Sequence, residues 1–205
     1  MDEGSSRRLN PLRSAPNLLT LLRICLAPFL VAAILDGHYA LSFVLFLAAG
    51  ITDALDGTLA RVLKQRSTFG AYLDPVADKL LLSTLFLVLL YKGLMPVTVT
   101  VLVFGRDVGI LLVSALLYAA AGRREFHPSL WGKANTLAQI VAVAAVLLRK
   151  VTPNWYWIAA FRAVALDATI VLTIISGLHY AWTVSRRGGT AAANGSQTSN
   201  HQTGK

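Results

Sequence analysis

Four aspartates, Asp53, Asp56, Asp74 and Asp78, interrupt two stretches of chain otherwise apolar enough to cross a membrane. A carboxylate in hydrocarbon costs at least about 2.5 kcal/mol even on the permissive insertion scale, so two pairs demand a function. Their spacings are i, i+3 and i, i+4, which put the members of each pair on one face of an α-helix. Four like charges facing one another repel unless a cation lies among them. A hard divalent ion with oxygen ligands is the natural occupant. Intramembrane carboxylates also mark cation-transport paths. Transporters often combine them with paired repeats and broken helices, and this chain shows neither clearly.

The rest of the sequence sets the solvent. Of 205 residues, 55% are hydrophobic and only 14% charged; soluble domains carry about 25% charged residues. Six apolar segments cover residues 18–35, 40–62, 71–91, 96–121, 134–148 and 155–184. A spanning helix needs about 20 residues, which most of them reach; the fifth is the shortest. The expected fold is therefore an all-α integral membrane protein with six transmembrane helices. Residues 1–15 read as a flexible cytoplasmic lead and 16–185 as the helical domain. Residues 186–205, rich in Gly, Ser, Thr, Asn and Ala, read as a disordered tail.

A net charge of +9 raises the question of nucleic acid. No soluble basic domain or aromatic-studded groove supports that partner, and none is expected. The charge is better read as topology, with anionic membrane lipids as partners. With the N-terminus inside, Arg7, Arg8, Arg13, Arg61, Lys64, Arg66, Arg123, Arg124, Lys133, Arg186, Arg187 and Lys205 fall on the cytoplasmic side. Only Lys92, Arg149 and Lys150 fall outside. Both termini and the aspartates are then expected to face the cytoplasm, in a bacterial-type plasma membrane. Trp155, Tyr156 and Trp157 form an expected interfacial aromatic belt. Cys25, alone in its type, is expected to pack in the core.

The arrangement Asp53-x2-Asp56-Gly57-x2-Ala60-Arg61-x8-Gly70-x3-Asp74-x3-Asp78 resembles the full signature of the CDP-alcohol phosphatidyltransferases. The resemblance extends to Pro16-Asn17-Leu18-Leu19-Thr20-Leu21-Leu22-Arg23 and to Asp74-Pro75-x-Ala77-Asp78-Lys79. It also takes in Ser129-x2-Gly132-Lys133-x2-Thr136-x2-Gln139. Together these are similar to the branch holding phosphatidylglycerophosphate synthases and CMP-forming cardiolipin synthases. Arg106-Asp107 is closer to the cardiolipin-synthase pattern than the Arg-Glu common in bacterial phosphatidylglycerophosphate synthases.

The resemblance implies that residues 16–185 form a catalytic domain. It would move the phosphatidyl group of CDP-diacylglycerol to glycerol 3-phosphate or, alternatively, to phosphatidylglycerol, releasing CMP. The pyrophosphate must be neutralised during transfer, and Mg²⁺ or Mn²⁺, two ions in all, suits that task. Asp53, Asp56 and Asp74 are the expected metal ligands, with Asp78 contributing to a second ion. Asp78 is also implied as the base that takes the acceptor's proton. Gly57, Ala60 and Gly70 are small enough to let the nucleotide approach helix backbone, and Arg61 is expected on the cytidine diphosphate. Asp53 and Asp56 border the same nucleotide site. Arg23, Arg106 and Lys133 are the expected acceptor pocket, Arg106 foremost because a guanidinium binds phosphate bidentately. The competing reading of Arg106 is an ion pair with Asp107. The resemblance also implies a homodimer.

Overall fold

The computed structural model describes the backbone of residues 15–63, 68–121 and 130–200, and the side chains of 22, 24–52, 79–113, 130–183 and 185. These residues form six α-helices: α1 Ala15–Leu35, α2 Tyr39–Leu63, α3 Thr68–Tyr91, α4 Val97–Ala121, α5 Leu130–Val151 and α6 Tyr156–Asn200. All six apolar segments of the sequence correspond to helices. The fifth helix is longer than its apolar run because Gly132 and Lys133 lower the hydropathy at its start, and Arg149 and Lys150 at its end, without breaking its backbone. The helix assignment of α6 extends to Asn200, into the stretch whose composition predicts disorder. The lead up to residue 14 lies outside the described residues.

The chain divides into two compact units, residues 1–97 with 140–163, and residues 98–139 with 164–205. In the first, α1 packs against both α2 and α3. Its core is built from Leu30 and Ile34 of α1, Phe46 of α2, and Leu85, Phe86 and Leu89 of α3, joined by Val146 and Leu147 of α5. The same helices are apolar on their outer faces: Phe29, Val44 and Leu80 are each more than 60% exposed. A helix hydrophobic all round belongs in a large core or a membrane. Among the described residues two helices, Leu130–Val151 and Tyr156–Thr183, are long and apolar enough to span one. Cys25 corrects the sequence reading. It is exposed rather than packed in the core, as an apolar outer face permits for a small hydrophobe.

Two glycines end helices. After α1, Gly37 has φ 80°, with its N–H bonded to Ile34 O and the His38 N–H bonded to Ala33 O. After α3, Gly93 has φ 68°, with bonds from its N–H to Leu90 O and from the Leu94 N–H to Leu89 O, both 2.8 Å. Each is a Schellman cap, which needs a left-handed residue to satisfy the last carbonyls. No atom lies within 4 Å of a Cβ built on Gly93 or on the helical Gly50. Gly93→Ala is therefore expected to cost about 1–2 kcal/mol through backbone strain alone. Gly50→Ala should leave the detergent unfolding midpoint unchanged or raise it.

Candidate active site

The aspartates are placed by the ends of their helices. The ammonium Nζ of Lys92, just past α3, donates to Leu35 O at the end of α1, 3.0 Å away. The C-terminal ends of α1 and α3 therefore lie together, and the short turn Asp36-Gly37-His38 starts α2 at the same end. From there α2 runs away and α3 runs back. At 1.5 Å per residue, Asp53 and Asp56 lie about 21 and 26 Å along α2 from its start at Tyr39. Asp74 and Asp78 lie about 26 and 20 Å from Tyr91 along α3. Both pairs thus fall at one level of the first unit, at the end opposite the Schellman turns.

Gly57, Ala60 and Arg61 continue α2 beyond that level, and Gly70 opens α3. Arg23 lies on α1. The side chains of Arg23, Asp53, Asp56, Ala60, Arg61, Asp74 and Asp78, and the surroundings of Gly57 and Gly70, lie outside the described residues. So do Lys64 and Arg66, and Ser129 of the motif before α5. Next to the first pair, Thr52 returns its hydroxyl to Ala48 O and Ala49 O at 2.9 and 2.8 Å, so its polarity is absorbed by its own helix. The donors available at this level are carboxylate oxygens from two helices. That set fits a hard divalent cation and suits a soft metal poorly.

The second unit contains a separate polar seam. Arg106, on α4, donates from Nη1 to Asp107 at 2.7 Å, so the neighbouring ion pair weighed from sequence is present. It also donates from Nη2 to Ser176 Oγ on α6 at 2.6 Å. Its Nε is buried without a partner. Beside it, Thr173 donates to Asn135 Oδ1 at 2.9 Å, and Thr169 donates to Ala165 O and Ala138 O at 2.8 and 3.1 Å. Asn135 Nδ2 and Gln139 Nε2 are buried and unpartnered. All three orphans are donors, so the chemistry they lack is an acceptor oxygen. Lys133, by contrast, is exposed on the first turns of α5.

Ser176, Thr173 and Asn135 escaped the sequence reading, and Gln139 entered it only as part of a motif. Their signal is nonetheless written in the chain. Thr169, Thr173 and Ser176 recur at i, i+4 and i+7, and Asn135 and Gln139 at i and i+4, each a polar stripe on an apolar helix. In the first unit Arg162 makes an interhelical contact, its Nη2 donating to Leu94 O at 2.8 Å.

Two carboxylate pairs at one level of a consecutive helix pair, in a largely apolar helical chain, accompany membership of a membrane-associated transferase family. The family model for CDP-alcohol phosphatidyltransferase matches residues 13–176, and the chain belongs to that family. It is 36% identical over 171 residues to a probable phosphatidylglycerophosphate synthase of Mycobacterium tuberculosis, covering 80% of this chain and 78% of the relative. It is 34% identical over 170 residues to the CDP-diacylglycerol–glycerol-3-phosphate 3-phosphatidyltransferase of Haemophilus influenzae, covering 80% and 90%. A human CMP-forming cardiolipin synthase is 36% identical over 150 residues, covering 64% of this chain and 49% of the relative.

Proposed function

We propose that this protein is a phospholipid-synthesising phosphatidyltransferase. It uses CDP-diacylglycerol as donor and sn-glycerol 3-phosphate as acceptor, and forms phosphatidylglycerophosphate and CMP. The observation that carries the reading is the complete eight-residue signature on α2 and α3, with both aspartate pairs at one level. The glycerophosphate acceptor rests on likeness to relatives of that name, which pair with this chain over most of both lengths. Cardiolipin synthesis from phosphatidylglycerol is the second reading, favoured by Arg106-Asp107 and by the human relative.

Asp53, Asp56, Asp74 and Asp78 would hold Mg²⁺ or Mn²⁺, which supply Lewis acidity and charge neutralisation at the pyrophosphate. Asp78 accepts the proton of the acceptor hydroxyl as its oxygen bonds to the phosphatidyl phosphorus. The bond from that phosphorus to the bridging oxygen breaks, and CMP leaves with the electron pair. Arg61 holds the cytidine diphosphate, with Gly57, Ala60 and Gly70 leaving it room against the helix backbone. Arg106 takes the acceptor's phosphate, with Arg23 and Lys133 adding positive charge. The protein is a multi-pass membrane protein with both termini and the aspartate level on the cytoplasmic side, and the family resemblance implies a homodimer.

The purified chain, given radiolabelled CDP-diacylglycerol and each acceptor in turn, should release CMP with glycerol 3-phosphate. Release should stop on chelation and return on adding Mg²⁺ or Mn²⁺. CMP formation with phosphatidylglycerol alone would replace the first reading by the second. Turnover indifferent to chelation would remove the metal role.

A further inference from the structure

The far end of the first unit, opposite the aspartates, gathers four cations, three of which line one cavity. Arg149, Lys150 and Arg162 line a space of about 300 Å³, together with Gly93 and Leu94. Lys92 lies in the same turn as Gly93. Lys150 also lines a second cavity of about 580 Å³ with Gly37, His38 and Tyr39, its Nζ 5.7 Å from the centre of the Tyr39 ring.

Part of this charge serves the fold. Lys92 bonds Leu35 O, Arg162 bonds Leu94 O, and Arg149 bonds Pro153 O and Thr152 O, so three of the four cations answer carbonyls at or just past helix ends. Helix ends do not account for all of it. The C-termini of α1, α3 and α5 each carry roughly half a negative charge. Asp36 is the one acidic residue among the described residues at this end. Together these offset only about two and a half of the four positive charges. No described carboxylate pairs with any of the four, and each guanidinium uses one nitrogen on carbonyls out of a fork of five donors.

The level of the cavity is marked independently. Trp155, just before α6, and Tyr156 and Trp157, in its first turn, are all more than half exposed, as is Tyr91 at the end of α3, two residues before Gly93. Trp and Tyr concentrate at the membrane–water boundary, where lipid phosphates lie. Lys92, Arg149 and Lys150 are also the residues that the positive-inside count leaves on the sparsely charged side. There Arg149 and Lys150 line one cavity, with Lys92 in the adjoining turn.

We propose that this basic cavity binds the phosphate of an anionic phospholipid, in the leaflet opposite the aspartates. The ligand lies between the Arg149 and Arg162 forks, with Lys150 completing the charge. Lys150 is the residue on which to test it, because its ammonium holds no helix-end carbonyl and Lys150→Gln leaves the caps in place. The full chain in phosphatidylcholine nanodiscs is titrated with phosphatidylglycerol, and retained lipid is counted by native mass spectrometry. Lipid held at the aspartate end contributes equally to wild type and variant, so their difference reports this cavity, whatever the chain's catalytic role.

The half-saturating mole fraction is expected to rise on the order of fivefold in Lys150→Gln, the weight of one interfacial cation. Lys150→Arg should restore it. Identical titrations for wild type and Lys150→Gln, or equal retention of added phosphatidylcholine, would overturn the proposal. Displacement of the lipid by millimolar inorganic phosphate would also overturn it, assigning the cavity to free phosphate.

Discussion

Asp78→Asn is expected to slow CMP release by about 10²–10⁴-fold, the usual weight of a positioned general base, with the detergent-solubilised fold retained. Asn is nearly isosteric but neutral, so the substitution removes the proton acceptor with little change in volume. Asp78 is also proposed as a ligand to a second ion, and the two roles separate in a metal titration. Asp74→Asn, which weakens a metal site alone, should recover part of its rate as Mg²⁺ or Mn²⁺ is raised. Asp78→Asn should not, because added metal does not replace the base. Unchanged turnover in Asp78→Asn, with CMP measured directly, would exclude the proposed base. Full recovery at high metal would leave it only a ligand.

Arg106→Lys should separate donor from acceptor. The glycerol 3-phosphate KM is expected to rise about tenfold or more, because hydrogen bonds to a charged group are worth about 1.5–3 kcal/mol and lysine lacks the planar fork. The CDP-diacylglycerol KM should stay near the wild-type value. Lysine keeps a positive charge opposite the Asp107 carboxylate, which is only 13% exposed, whereas truncation to alanine would remove that charge. Ser176 bonds Nη2 and so orients the guanidinium. Ser176→Ala should shift the acceptor KM in the same direction by a smaller factor. If Arg106 serves only the fold, both variants will lower the unfolding midpoint and leave both KM values unchanged.

Much of this could be read along the chain because it depends on local periodicity. Hydrophobic runs located all six helices, and glycine stands in the turns at Asp36-Gly37-His38 and at Gly93. Boundaries slipped where polar residues sit in helical positions. Leu130 to Lys133 belong to α5 although the hydropathy rises only at Ala134. Cys25 slipped for a different reason. In lipid the outside of a helix is as apolar as its inside, so hydrophobicity no longer tells which face is buried.

The sequence by itself determined the four aspartates, their helical spacing, the small residues around them and the family they signify. Covalent order suffices there, since each pair falls within one or two turns of a single helix. Only the tertiary structure decided what lies far apart in sequence: Ser176 on the Arg106 guanidinium, Thr173 on Asn135, Arg162 on the end of α3, and three cations around one cavity. Those contacts depend on which helix faces which. In an all-apolar setting that choice is made by packing and by buried hydrogen bonds, and no local pattern records it.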